Sequence, residues 1–120
     1  MLSLPPSVRI YLCLAPADMR RSFDALARMV EEILQADPFS GHLFVFRNRR
    51  GDRLKILYWD RDGLALWYKR LEEGVFVFPP AGDCARLSVT PGDLAMILDG
   101  IDVRSVRRAK RYSRDCGPSA

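Results

Sequence analysis

The sequence predicts an α+β fold, a small antiparallel β-meander packed with an N-terminal helix and a short C-terminal helix. Three observations carry this expectation. One amphipathic helical repeat lies near the start, a series of short apolar runs separated by turn residues fills the middle, and a capped helical stretch follows near residue 90. At 120 residues the chain has room for one hydrophobic core. Its 48% hydrophobic and 28% charged residues are ordinary for a packed domain and far from a disordered profile.

Val8 to Leu14 (V-R-I-Y-L-C-L) is rich in branched and aromatic residues and stops at Ala15-Pro16, which reads as a first strand. Its two sides differ little in polarity, so it is expected to be covered on both, with Arg9 near its solvent end. Phe23, Leu26, Ala27, Val30, Ile33 and Leu34 then recur at helical spacing, with Asp24, Arg28, Glu31, Glu32 and Gln35 outside. Asp18 or Ser22 is the expected cap, and Asp37-Pro38 ends the helix.

Ser40-Gly41 turns the chain into Leu43 to Phe46, which pairs with Leu54 to Trp59 as a β-hairpin with a basic tip. Asp60-Arg61-Asp62-Gly63 is the next turn, with positive φ expected at Gly63. In Leu64 to Lys69, the residues Leu64, Trp67 and Tyr68, together with Leu71, also fit helical spacing, which leaves 64–71 open between strand and helix. The short turn and the aromatic content favour a third meander strand. Val75 to Phe78 reads as a fourth, halted by Pro79-Pro80, and Leu87 to Val89 as an edge strand. Thr90-Pro91-Gly92-Asp93 opens the second helix, with Thr90 as N-cap and Pro91 at the first position; it buries Leu94, Ile97 and Leu98 and ends at Gly100. Residues 1–103 thus form the expected globular domain and 104–120 a basic, flexible tail.

The net charge of +4 is unevenly placed. Residues 1–100 hold 13 basic and 13 acidic side chains, whereas the tail holds Arg104, Arg107, Arg108, Lys110, Arg111 and Arg114 against Asp102 and Asp115. The hairpin tip adds Arg47, Arg49, Arg50, Arg53 and Lys55. Guanidinium forks match phosphate oxygens, so both regions are candidate contacts to nucleic acid, although a charged turn also serves simply to keep a hairpin soluble. If about six phosphates are engaged, affinity should fall with salt at a log–log slope near ~−5. The aromatics Tyr58, Trp59, Trp67, Tyr68, Phe76 and Phe78 are expected to fill the core rather than stack on bases.

No catalytic constellation is visible. Asp60 and Asp62 are explained by turn chemistry and Asp18 by capping, and the single histidine, His42, leaves no nucleophile–base pair. There is no phosphate-binding glycine loop. Cys13, Cys84 and Cys116 are widely spaced, so neither a disulfide framework nor a zinc site is expected, and the expected state is reduced. No metal or cofactor is expected. With no apolar run of membrane-spanning length and no signal-like start, the expected location is cytoplasmic.

Several ordered blocks together resemble a known family. They are Asp18-Met19-Arg20-Arg21-Ser22-Phe23-Asp24, then Asp37 through Phe46, Arg50 through Asp60, Gly63 through Glu72, and Gly100-Ile101-Asp102. From about Val8 to Asp102 the chain resembles the TnpB accessory proteins of insertion sequence 66 elements. Ser22 stands where that pattern would carry glycine. The resemblance implies a non-enzymatic part in DNA transposition, beside a separate, larger transposase, and supplies no catalytic residues. The partners it implies are DNA, the transposase or both, and self-association is compatible with it. A protein-interaction module that binds the transposase without touching DNA is the alternative, which exposed aromatics or an uncovered meander edge would favour.

Overall fold

The computed structural model describes residues 7–80 and 82–100, together with the backbone of 113–115. The elements are β1 (Ile10–Cys13), α1 (Phe23–Glu32), β2 (Leu43–Arg47), β3 (Arg53–Asp60), β4 (Gly63–Arg70), β5 (Arg86–Val89), α2 (Pro91–Leu98) and β6 (Ser113–Asp115). They form an α+β fold with one mixed sheet in the order β4-β3-β2-β1-β5-β6. Among the described residues, no helix is long and apolar enough to cross a membrane.

The expected antiparallel meander is present in β2, β3 and β4, which pair in sequence order. The ambiguity over 64–71 resolves as strand. β1 departs from the antiparallel pattern, because it runs parallel to β2, with Ile10 opposite Leu43 and Leu12 opposite Val45. A parallel neighbour needs a long crossover, and α1 provides it.

Alternation along the strands divides the core into two layers. Tyr11, Cys13, Phe44, Phe46 and Leu57 face α1, where Leu26, Met29, Val30 and Leu34 cover them. Ile10, Leu12, Leu43, Val45, Ile56 and Leu87 face the other way, against Phe76, Phe78 and the α2 residues Leu94, Ile97 and Leu98. β1 is buried along its whole length, and Arg9 before it is exposed, as a strand apolar on both sides requires.

Several local expectations need correction. Phe23 and Ile33, expected to point inward, are exposed, and Met29 takes the inward position between Leu26 and Val30. Phe23 opens the first turn and Ile33 is already the C-cap, so both lie at the rim of the helix contact. Ser22 occupies the N-cap position but makes no side-chain bond, and Asp18 is engaged by Arg20 instead. In the β3–β4 turn the left-handed residue is Arg61 (φ 58), not Gly63, which is the first residue of β4. Val75 to Phe78 is not a strand. Phe76 N donates to Gly51 O at 2.7 Å and the segment straps the hairpin tip, while Pro79-Pro80 has no N–H to extend a ladder. β5 is no edge, since it lies between β1 and β6.

The second helix starts as expected. Thr90 Oγ1 accepts from Asp93 N at 3.1 Å, the Asp93 carboxylate accepts from Thr90 N, Pro91 holds the first turn, and Gly100 follows at φ 76. Phe76 and Phe78 are buried as expected, Tyr58, Trp59 and Trp67 are half-buried, and Tyr68 is exposed. Cys13 is free and buried, but Cys84 is disulfide-bonded, which departs from the expectation of reduced cysteines.

Candidate nucleic-acid interface

Because β1 and β2 are parallel, their C-terminal ends lie at the same end of the sheet. The chain leaves β1 through residues 14–22 into α1, and leaves β2 through the tip 48–52 into β3. A cleft of about 640 Å³ lies between these two segments. Openings of this kind, beyond the carboxyl ends of parallel strands, are where sheets of this type commonly hold ligands.

The hairpin tip is built around Asn48. Its Oδ1 accepts from Gly51 N at 2.9 Å and Arg53 N at 3.1 Å, and its Nδ2 donates to Asp52 Oδ1 at 2.7 Å. Gly51 takes a left-handed conformation (φ 83) and lies so near the strap that an added Cβ would stand 3.3 Å from Val75 Cβ. Leu71 N donates to Asp52 O and Phe76 N to Gly51 O, so the 71–76 segment clamps the tip from behind. Arg49 and Arg50 are exposed on this braced turn, and Arg53 is half-buried beside them, its guanidinium 3.4 Å from Tyr68 Oη.

The opposite wall is held just as firmly. Ala17 N donates to Arg47 O at 2.9 Å, which ties the loop to the end of β2. Arg20 makes a bidentate contact with Asp18 at 2.7–3.1 Å, and both residues are exposed. That contact holds the Asp18 carboxyl down at about 2 and raises the Arg20 guanidinium above its ordinary value. Asp52 is likewise held below the usual carboxylate range, chiefly by the Asn48 amide.

Two of the residues expected to face DNA do not. Lys55, expected to extend the positive surface, is only 6% exposed. Its ammonium donates to Met19 O and Arg21 O, both at 2.8 Å, and sits 4.8 Å from the centre of the Tyr68 ring. A buried ammonium must find acceptors, and the carbonyls of the 18–21 loop supply them. Arg47 is half-buried. It donates to Phe76 O at 2.9 Å and lies 4.1 Å over the Phe78 ring, and burial lowers its guanidinium from the ordinary value. Both side chains brace the cleft rather than line it.

The cleft therefore brings together Arg49, Arg50 and Arg53 from the tip with Arg20 and Arg21 from the β1–α1 loop. Arg20 and Arg21 do not stand out in the sequence as site residues, because there charge can be assembled only within single turns. The parallel crossover that faces the two loops toward each other is the signal that identifies them. Five guanidinium groups oppose Asp18 and Asp52, which leaves an excess of three positive charges. The lining offers forked donors for an oxyanion and contains no histidine, cysteine, serine or lysine. Asp60 and Asp62 lie at the other end of β3, far along the strand from this cleft. Among the described residues, no three His, Cys, Asp or Glu side chains gather as a metal site would require. Arg104, Arg107, Arg108, Lys110 and Arg111 lie outside the described residues, and Arg114 falls within β6, where only the backbone is described.

An uncharacterized protein of Sinorhizobium fredii, y4jC, is 40% identical over 108 residues, covering 90% of this chain and 92% of its own length. A second from the same organism, y4hO, is 41% identical over 114 residues, covering 95% of this chain and 98% of its own. No solved structure matches. The family described as IS66 Orf2 like protein (TnpB_IS66), linked to an accessory role in transposition, matches residues 8–108, and the chain belongs to that family.

Proposed function

We propose that this protein is a non-catalytic accessory factor that contacts DNA phosphates during transposition of an insertion sequence 66 type element. The observation that carries this reading is the cleft in which five arginines from two braced loops face one another. Forked donors match phosphate oxygens bidentately, and carrying them on loops whose backbones are already braced lowers the ordering cost of binding. Arg49, Arg50, Arg53 and Arg21 are the contacts, joined by Nη1 of Arg20, whose Nε and Nη2 hold Asp18, and Lys55 and Arg47 brace the two loops. Engagement of five phosphates on duplex DNA gives a log–log salt slope of about −4.5. Arg104, Arg107, Arg108, Lys110, Arg111 and Arg114 add a second set of contacts in this reading.

The test is a fluorescence-anisotropy titration of the full chain with labelled terminal-repeat duplex and with scrambled duplex. Binding to either supports phosphate contact, and preference for the terminal repeat adds sequence recognition. Absence of binding at low salt moves the assignment to a second reading, a module that binds the transposase without touching DNA. One observation favours that reading: Phe39 is 54% exposed and packs edge-on against half-buried Trp59, with ring centres 5.5 Å apart, an aromatic pair open to a protein partner.

A further inference from the structure

The outer edge of β4 is eight residues long, and no other described strand pairs with it. Edges of this length are normally blunted by proline, a bulge or inward-pointing charge, because open N–H and C=O groups template pairing with another chain. Leu64-Ala65-Leu66-Trp67-Tyr68 carries none of these, the strand's charges Lys69 and Arg70 are confined to its C-terminal end, where the Lys69 ammonium donates to Leu98 O at 2.9 Å, and the register with β3 is unbroken from Asp60↔Gly63 to Arg53↔Arg70.

The ladder decides which main-chain groups face outward. Leu71 N donates to Asp52 O at 2.8 Å, one position beyond the Arg53↔Arg70 pair. Hydrogen-bonded positions alternate in an antiparallel pair, so Gly63, Ala65, Trp67 and Lys69 turn their groups toward β3. Leu64, Leu66, Tyr68 and Arg70 turn theirs toward the open edge. A second copy related by a two-fold axis normal to the sheet must oppose outward-facing residues to outward-facing residues, with each sheet face continuing into the same face. The axis then passes through a residue of β4, and the two positions nearest the middle of the strand, which leave most of it paired, are Leu66 and Trp67.

The two choices differ in their side-chain pairs. An axis at Trp67 sets Leu64 against Arg70 and Asp62 against Glu72, an apolar–charged and a like-charge pair. An axis at Leu66 sets Leu66 against itself, Leu64 against Tyr68, Ala65 against Trp67 and Gly63 against Lys69, and brings Arg70 at the end of the strand beside Asp62 of the partner's β3–β4 turn, the last twice by symmetry. Apolar groups meet apolar groups, and opposite charges meet at both ends. Arg70 already faces Arg53 across the ladder on its inner side, where Glu72, at 2.9 Å, and the more distant Asp52 offset the repulsion. A carboxylate on its outer side completes the compensation.

We propose that two copies of this chain associate through β4, antiparallel about an axis at Leu66, joining their sheets into one. The test is sedimentation velocity of the full chain from about 1 to 100 μM, a range that covers weak and transient dimers. The wild type should dimerise. Asp62→Arg and Arg70→Asp should each weaken the dimer by about tenfold or more, since two symmetric pairs turn from attraction to repulsion. The double exchange should restore it. Leu64→Pro, which removes an outward-facing N–H and no main-chain bond to β3, should be monomeric while retaining the wild-type circular-dichroism spectrum. If that variant fails to fold, the charge exchange decides the matter. A wild type that is monomeric throughout overturns the proposal and leaves the edge to a strand of another protein. A dimer indifferent to both single reversals, or one not recovered by the double exchange, overturns it equally.

Discussion

Replacing Lys55 by methionine keeps the aliphatic stem and removes only the ammonium. In the native fold that group donates to Met19 O and Arg21 O at 2.8 Å and rests over Tyr68. Hydrogen bonds from a charged donor contribute about 1.5–3 kcal/mol each, but the two carbonyls lie in a loop that water can partly reach, so the expected loss is about 2–3 kcal/mol in total. With a urea m-value of about 2 kcal/mol per molar, the unfolding midpoint should drop by about 1–1.5 M, measured by tryptophan fluorescence. A phosphate contact would behave in the opposite way, with stability unchanged and the salt slope of DNA binding smaller by about one. A midpoint within about 0.3 M of wild type would refute the role of Lys55 as the brace of the 18–21 loop.

Other consequences are open to separate checks. Asp18 has its folded value lowered from 3.8 to about 2 by the Arg20 guanidinium, so the stabilising contact is fully present above about 4 and is lost as pH falls through 2. Carboxyl-carbon NMR should give a midpoint near 2, returning toward the ordinary value in Arg20→Ala; a wild-type midpoint near 4 would remove Arg20 as the cause. Burial pushes the Cys13 thiol up to about 11, so it should resist alkylation at pH 8 in the native state and react once urea unfolds the chain. Thr90→Ala deletes the acceptor of a 3.1 Å bond from Asp93 N and should cost about 1 kcal/mol in denaturant unfolding, with DNA binding unaffected. Gly51→Ala forces a side chain into a left-handed conformation 3.3 Å from Val75 Cβ, and a loss of about 1–2 kcal/mol is expected by the same assay.

Elements whose residues repeat locally are legible in the amino-acid sequence alone. The α1 repeat, the 43–59 hairpin and the Thr90 cap depend on spacing and turn chemistry that a short window contains. The parallel pairing of β1 with β2 is not legible there, because it depends on where a crossover of some thirty residues returns, and V-R-I-Y-L-C-L reads the same beside either kind of neighbour. The site is legible in the same uneven way. Arg49, Arg50 and Arg53 stand out as a basic turn, whereas Arg20 and Arg21 join them only through the crossover. Arg47 and Lys55 look like contacts because charge alone cannot separate a brace from a contact. Lys55 is an interior strand position between Leu54 and Ile56, and only the carbonyls of Met19 and Arg21 explain an ammonium there.

The most direct test of phosphate contact through the arginine cleft compares the salt dependence of DNA binding by the wild type and by Arg49→Ala/Arg50→Ala. Both residues are exposed at the braced tip, so the double variant should fold with wild-type stability to within about 0.5 kcal/mol. The variant's log–log slope should be smaller in magnitude than the wild type's by about 1.8, two phosphates fewer. Equal slopes for the two proteins would place the DNA contacts elsewhere and contradict the assignment of the cleft.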